Sequence, residues 1–334
     1  MQNLPPRGPD MPHPMQALLP GVPWIESPFF ADFAEQVWTD PDLLRMAREM
    51  HSQGFTVIDF PDPEFDTITD GIRRDLAPQF DLERWRTVGD VSLRVQDAWQ
   101  THDGVKRIAA NPAVLDILSA LYGRKAWPFQ TLNFPVGTQQ PAHSDAVHFS
   151  SVPDRFMCGV WVALEDIHED AGPLEYYPGS HRWPVFGNEQ LGLCAADHEG
   201  PMGQSVYEPL WRELIRLHGA APQRFLAQKG QAVIWAANVL HGGSPQHDKN
   251  RTRWSQVTHY YFEDCAWYTP MGTDLWLQKA MVREPRNVAD GKTTMQGRYL
   301  GKAVEPQAWR GNDAAERGVP ARRERFLSRV LRRI

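Results

Sequence analysis

From residue 125 onward the chain breaks into short apolar runs divided by glycine and proline, and this punctuation limits the possible folds more than any other feature. Candidate strands lie at 128–134, 157–164, 174–177, 231–235 and 254–262, with turns at Gly172-Pro173, Pro178-Gly179, Lys229-Gly230 and Gly242-Gly243. Many short strands bounded by turn residues favour a sandwich or barrel over alternating βαβ units. The upstream half carries helix signals instead. Asp40 before Pro41 predicts a capped helix with Leu43, Leu44, Ala47 and Met50 on its apolar face, and Gly54 stops it ahead of a strand at 55–60. Asn111-Pro112 opens a second helix that runs through Leu115, Leu118 and Leu121 to Gly123. A third covers 208–218, with Trp211, Leu214 and Ile215 inward. The helices before residue 125 are expected to pack against one sheet.

Composition narrows the function classes. A chain of 334 residues has room for one large domain or two. With 35 Lys+Arg against 41 Asp+Glu, the net charge is −6, which argues against a general nucleic-acid binder with its basic face. Cys158, Cys194 and Cys265 are far apart and odd in number, so they predict neither a disulfide framework nor a structural zinc site and suit a reducing compartment. No apolar run reaches the ~20 residues of a membrane span, and the Pro-rich beginning has no apolar signal core. The expected location is therefore cytoplasmic. Near the end, Arg322, Arg323, Arg325, Arg329, Arg332 and Arg333 read as a solvated basic helix rather than a docking site for an acidic partner.

Metal-ligand chemistry is the sharpest signal. In a strand, residues i and i+2 share a face, so His-x-Asp presents an imidazole and a carboxylate together. A distant second imidazole completes the two-His-one-carboxylate face that leaves positions open on Fe(II). The motif occurs twice, as His143-Ser144-Asp145 and as His168-Glu169-Asp170. The second lies in an acidic stretch that reads as an exposed turn, whereas the first follows a strand that gives way to a loop, so His143 and Asp145 are the better pair. His241, at a strand end turning through Gly242-Gly243, is the candidate distal imidazole. His247 lies in a polar loop, and His259 alternates within a strand and reads as packed. Beyond His241, Arg251, Arg253, Ser255, Val257 and His259 share one face on period two, and an arginine with a serine two residues on suits a carboxylate.

Four stretches in this order resemble the phytanoyl-CoA dioxygenase family of Fe(II)- and 2-oxoglutarate-dependent oxygenases, over about 36–262. They are His143-Ser144-Asp145; Trp161 to Asp166 with Ala171-Gly172-Pro173-Leu174 and Pro178-Gly179-Ser180-His181; Leu240 to Pro245; and Asn250 to Arg253 leading to Thr258-His259-Tyr260. The resemblance implies a mainly β fold with flanking α-helices, a double-stranded β-helix or jelly roll related to the cupins. The prolines and weak periodicity of 1–26 read as an N-terminal Pro-rich arm, ahead of a single oxygenase domain expected at 27–264 and a C-terminal extension at 265–334 that ends in the basic helix. The resemblance also implies Fe(II) on His143, Asp145 and His241, with 2-oxoglutarate and O2 as cosubstrates. The family arginine matches Arg253, with Arg251 as rival, while Ser255, Trp161 and, by a looser match, Gln130 stand where the family lines the cosubstrate. The implied reaction is hydroxylation of an unactivated C–H bond in a small-molecule substrate, with succinate and CO2 formed. No nucleic acid or membrane is involved in that reading. Asp145 argues against radical halogenases, which generally lack this carboxylate. Two alternatives stay open: a cupin-like metal enzyme without 2-oxoglutarate, and a non-catalytic jelly-roll binding protein.

Overall fold

The computed structural model describes residues 14–88, 93–197 and 203–304. Helices α1 (Pro14–Leu18), α2 (Phe30–Val37) and α3 (Pro41–Gln53) precede strand β1 (Phe55–Asp59). Next come α4 (Phe65–Leu76), α5 (Leu82–Val88), β2 (Val95–Gln96), α6 (Asp103–Ala109) and α7 (Pro112–Tyr122). Strands β3 (Ala126–Phe134), β4 (Ser150–Val152), β5 (Met157–Ala163) and β6 (Leu174–Tyr176) follow, then α8 (Asn188–Leu191) and α9 (Glu208–His218). The remainder holds β7 (Gln223–Phe225), β8 (Gln231–Ala236), β9 (His241–Gly243), β10 (Ser255–Phe262), β11 (Ala266–Tyr268) and a small hairpin of β12 (Arg298–Tyr299) and β13 (Lys302–Ala303).

A six-stranded antiparallel sheet in the order β1-β8-β5-β10-β3-β2 faces a three-stranded sheet, β7-β6-β9. The two are held face to face by aromatic contacts: Phe55 stacks on Tyr176 at 5.1 Å and Trp161 meets Phe225 edge-on at 5.9 Å. This is the expected jelly roll, mainly β with flanking helices. Every residue of β5 and β10 is buried, because helices cover the outer face of the large sheet. On that outer face Gln256 Nε2 donates to the Val105 carbonyl at 3.0 Å and the Tyr260 hydroxyl to the Ala109 carbonyl at 2.9 Å. Tyr122 of α7 stacks on Phe262 at 4.1 Å. The opposite parity of β10, with Val257 and His259, lines an internal cavity.

The two predicted caps form as read. Asp40 Oδ1 accepts from the amides of Asp42 and Leu43, and Asn111 Oδ1 accepts from the amide of Val114. Such caps contribute about 1 kcal/mol each. One expectation changes. An extended arm over 1–26 does not describe residues 14–26: α1 and a 3-10 turn at Trp24–Glu26 fold onto the core, with Ile25 fully buried. Buried Glu26 there pairs with Arg155, which ties the lead-in to the loop before β5. Residues 1–13 and the basic helix expected near 322–333 lie outside the described residues. All three cysteines are free. Among the described residues, no helix is long and apolar enough to cross a membrane.

Candidate metal centre

His143, Asp145 and His241 come together at one end of the jelly roll, all buried, with one ligand atom from each within 4.8 Å of the others. The chain path explains the meeting. His143 and His241 form an isolated antiparallel bridge, with the His143 amide donating to the His241 carbonyl at 2.8 Å and the reverse bond at 3.0 Å. Their rings stand 4.5 Å apart. The glycines after His241 permit this approach: a Cβ on Gly242 would lie 2.8 Å from the Gln140 carbonyl oxygen, and one on Gly243 2.9 Å from the Gln139 nitrogen. Asp145 is not in the strand that the i, i+2 argument assumed; it opens a 3-10 turn at Asp145–Val147. Ser144 is nevertheless extended (φ −114°, ψ 131°), so His143 and Asp145 still point the same way.

Backbone carbonyls fix both tautomers. His143 Nδ1 lies 2.9 Å from the Pro141 oxygen and His241 Nδ1 lies 3.1 Å from the Val239 oxygen. A carbonyl can only accept, so each ring carries its proton on Nδ1 and presents the Nε2 lone pair inward. Those Nε2 atoms are 3.9 and 3.7 Å from the Asp145 carboxylate oxygens, separations that one ion with ligand bonds of about 2.0–2.2 Å can span. Burial, then the neighbouring His241, pulls His143 down to about 4, so its ring is neutral at neutral pH. Burial alone would raise the Asp145 carboxyl, but His241, His259 and His143 together hold it well below the ordinary carboxylate range.

A cavity of about 240 Å³ opens beside these three groups, and Trp161, Tyr176, Arg253 and Gln130 are on its wall. Arg253 is 1% exposed and, among the described residues, faces no carboxylate; one guanidinium nitrogen donates to the Gly172 carbonyl at 3.1 Å, and its Nε has no partner there. Burial lowers it to about 10, which still leaves it charged. On the same wall, Trp161 Nε1 and the Tyr176 hydroxyl are likewise buried without partners. Native interiors rarely leave such groups unsatisfied, so these three groups mark where a polar or anionic ligand fits.

The structure separates the two rival arginines. Arg251 sits at the surface in a turn, facing Asp248 at 3.4 Å, and is not on the cavity wall. Ser255 is buried two residues from Arg253 but not on the wall either. Gln130 is on the wall, yet its amide oxygen is 2.9 Å from His259 Nδ1. His168 and Asp170 lie in an exposed turn, as read. Three groups escaped the sequence reading. His259, taken as packed, has Nε2 at 3.7 Å from Asp145 Oδ2; its signal was the shared period-two face with Arg253. Trp235 Nε1 donates to the same oxygen at 2.9 Å. Exposed Arg94, just before β2, lines the cavity from a stretch with no sequence signal.

Comparison with known proteins points to one family. The family description Phytanoyl-CoA dioxygenase (PhyH) matches residues 50–253. The peroxisomal phytanoyl-CoA dioxygenase of Rattus norvegicus is 24% identical over 217 residues, 62% of this chain; the chain spans 59% of the length of that relative. Solved structures share the fold, two of which follow. EctD from S. alaskensis, with 2-oxoglutarate and 5-hydroxyectoine, aligns with a TM-score of 0.52 and 18% identity over 78% of this chain and 86% of its own. The epimerase SnoN, in complex with Fe3+, alpha ketoglutarate and nogalamycin RO, aligns with a TM-score of 0.51 and 19% identity over 80% of this chain and 97% of its own. Because the family match takes in more than half of its residues, the chain belongs to the phytanoyl-CoA dioxygenase family.

Proposed function

We propose that the protein is an Fe(II)- and 2-oxoglutarate-dependent dioxygenase that hydroxylates an unactivated C–H bond of a small metabolite, forming succinate and CO2. The observation that carries this reading is one cavity wall bearing both a buried His-Asp-His face and a buried, uncompensated Arg253 ringed by unpaired donors. Iron alone would explain the first, and an anion alone the second. A cosubstrate that chelates a metal at one end and carries a carboxylate at the other explains both.

In this reading His143, Asp145 and His241 hold Fe(II), and three protein ligands leave room for a chelating cosubstrate and O2. Arg253 takes the far carboxylate, with Trp161 and Tyr176 as donors beside it. The bound iron supplies the oxidising chemistry. The chain's own work is to keep both imidazoles in the Nε2-inward tautomer, to bury the carboxylate and guanidinium away from water, and to orient the target carbon. EctD and SnoN, whose structures were determined with 2-oxoglutarate or its synonym, support the cosubstrate.

The test is O2-dependent conversion of 2-oxoglutarate to succinate by the full chain supplied with Fe(II). Succinate formation that disappears in Asp145→Ala supports the reading. A wild-type protein that makes no succinate above the enzyme-free rate contradicts it and leaves the two alternatives, a cupin-like metal enzyme without 2-oxoglutarate and a non-catalytic jelly-roll binding protein.

A further inference from the structure

Two buried rings around Asp145 serve neither as metal ligands nor as cosubstrate donors. Three neighbouring strands explain how they reach it. In the large sheet His259 of β10 pairs with Gly159 of β5, and Gly159 pairs with Trp235 of β8. Cross-strand partners point to the same side of a sheet, so the three residues form one row facing the cavity. The middle member has no side chain. A Cβ on Gly159 would lie 2.1 Å from the Trp235 ring, so the indole occupies the lane that any other residue would fill. From there its Nε1–H reaches Asp145 Oδ2 at 2.9 Å, across 90 residues of chain. His259 approaches the same oxygen at 3.7 Å from the other side, nearly perpendicular to the indole, and is held through Nδ1 by Gln130.

We propose that Trp235, seated over Gly159, is a positioning residue that fixes the carboxylate of Asp145 for one-oxygen metal ligation. The proposal rests on the reading of His143, Asp145 and His241 as ion ligands. A carboxylate free to rotate can turn both oxygens to an ion and occupy two positions. An N–H donor engaged with one oxygen opposes that rotation, and so keeps a coordination position available. Tryptophan is suited to the task because its only polar atom is a donor and the rest of the ring packs as core.

The experiment uses the full chain with Mn(II) alone, measured by calorimetry, for wild type and Trp235→Phe, alongside the thermal midpoint of each metal-free protein. The substitution keeps an aromatic core and deletes the donor. The dissociation constant for Mn(II) is expected to rise about 10-fold or more, the usual effect of losing a partner of a metal ligand. The thermal midpoint should fall much less than in a core-truncating variant. A parallel measurement needs no substitution in the test protein: the Trp235 indole N–H resonance of the wild type, followed by NMR as Zn(II) is added, should move with stoichiometric binding. An unchanged Mn(II) constant in the variant, or an indole resonance indifferent to Zn(II), overturns the proposal while leaving the ion site standing. A wild type that binds neither ion removes the ion-site reading itself.

Discussion

The chain carries His-x-Asp twice, and the two copies show what makes such a motif a site. His143 and Asp145 are less than 10% exposed; His168 and Asp170 are each 43% exposed, although their nearest nitrogen and oxygen are 3.5 Å apart. The tautomers also differ. His143 donates from Nδ1 to a carbonyl and leaves Nε2 as a lone pair. His168 Nδ1 instead accepts from the Asp170 amide at 3.2 Å, so the neutral ring carries its proton on Nε2. Only the first copy faces a second imidazole, His241, and a carboxylate anchored by Trp235. Local spacing is identical in the two copies; the non-local partners separate them.

Exchanging the copies' fates should therefore fail in one direction only. Asp145→Ala is expected to weaken Mn(II) binding by more than about 100-fold, since removing a ligand exceeds the effect of removing a ligand's partner. Asp170→Ala should leave binding unchanged, as calorimetry on both variants would show. Equal losses would break the comparison.

Arg253 and Arg251 form a second contrast, one buried and one exposed. Replacing Arg253 by Met removes charge-assisted bonds worth about 1.5–3 kcal/mol, so 2-oxoglutarate affinity of the metal-loaded protein should fall roughly 10- to 100-fold. The ligand-free protein should at the same time become more stable, because an uncompensated buried charge has been replaced by packing. Arg251→Met should change neither property by more than about 0.5 kcal/mol. Parallel cosubstrate titrations and denaturant melts check both halves.

A further effect is a pH dependence of stability. His143 titrates near 4 in the folded protein because of burial, against 6.5 for an ordinary imidazole. Between those values the unfolded chain binds a proton that the native state refuses, so stability rises with pH there. It is complete above about 6.5, declines as pH falls towards 4 and levels off below. One such group contributes a slope of at most about 1.4 kcal/mol per pH unit. Melts of the metal-free protein from pH 7 to 4 should show this slope, reduced in His143→Asn.

What the sequence disclosed depends on how local each signal is. Helices α3 and α7 announce themselves because Asp40, Asn111 and the prolines after them act within one turn. Helix α4 hides because Glu64 makes no side-chain cap and the segment mixes Thr67, Ile68, Thr69 and Gly71 into the helical run. His143, Asp145 and His241 were legible because a strand end and turn glycines mark them, and Arg253 through its match to the family arginine. Trp235 was not, since its reach to Asp145 depends on a register with Gly159 that no local pattern records. Parity misled at Arg251 because that residue lies in the turn closed by its own amide on the Asp248 carbonyl, whereas Arg253 of the same parity reaches the wall.

The central claim is that metal and cosubstrate share one cavity, and anaerobic titration of the protein with Fe(II) and 2-oxoglutarate tests it most directly. Chelation of iron by the cosubstrate produces a visible charge-transfer band. The account predicts that band in the wild type, weakened in Arg253→Met and absent in Asp145→Ala. A wild-type protein that binds both components yet shows no band would place them apart and contradict the claim.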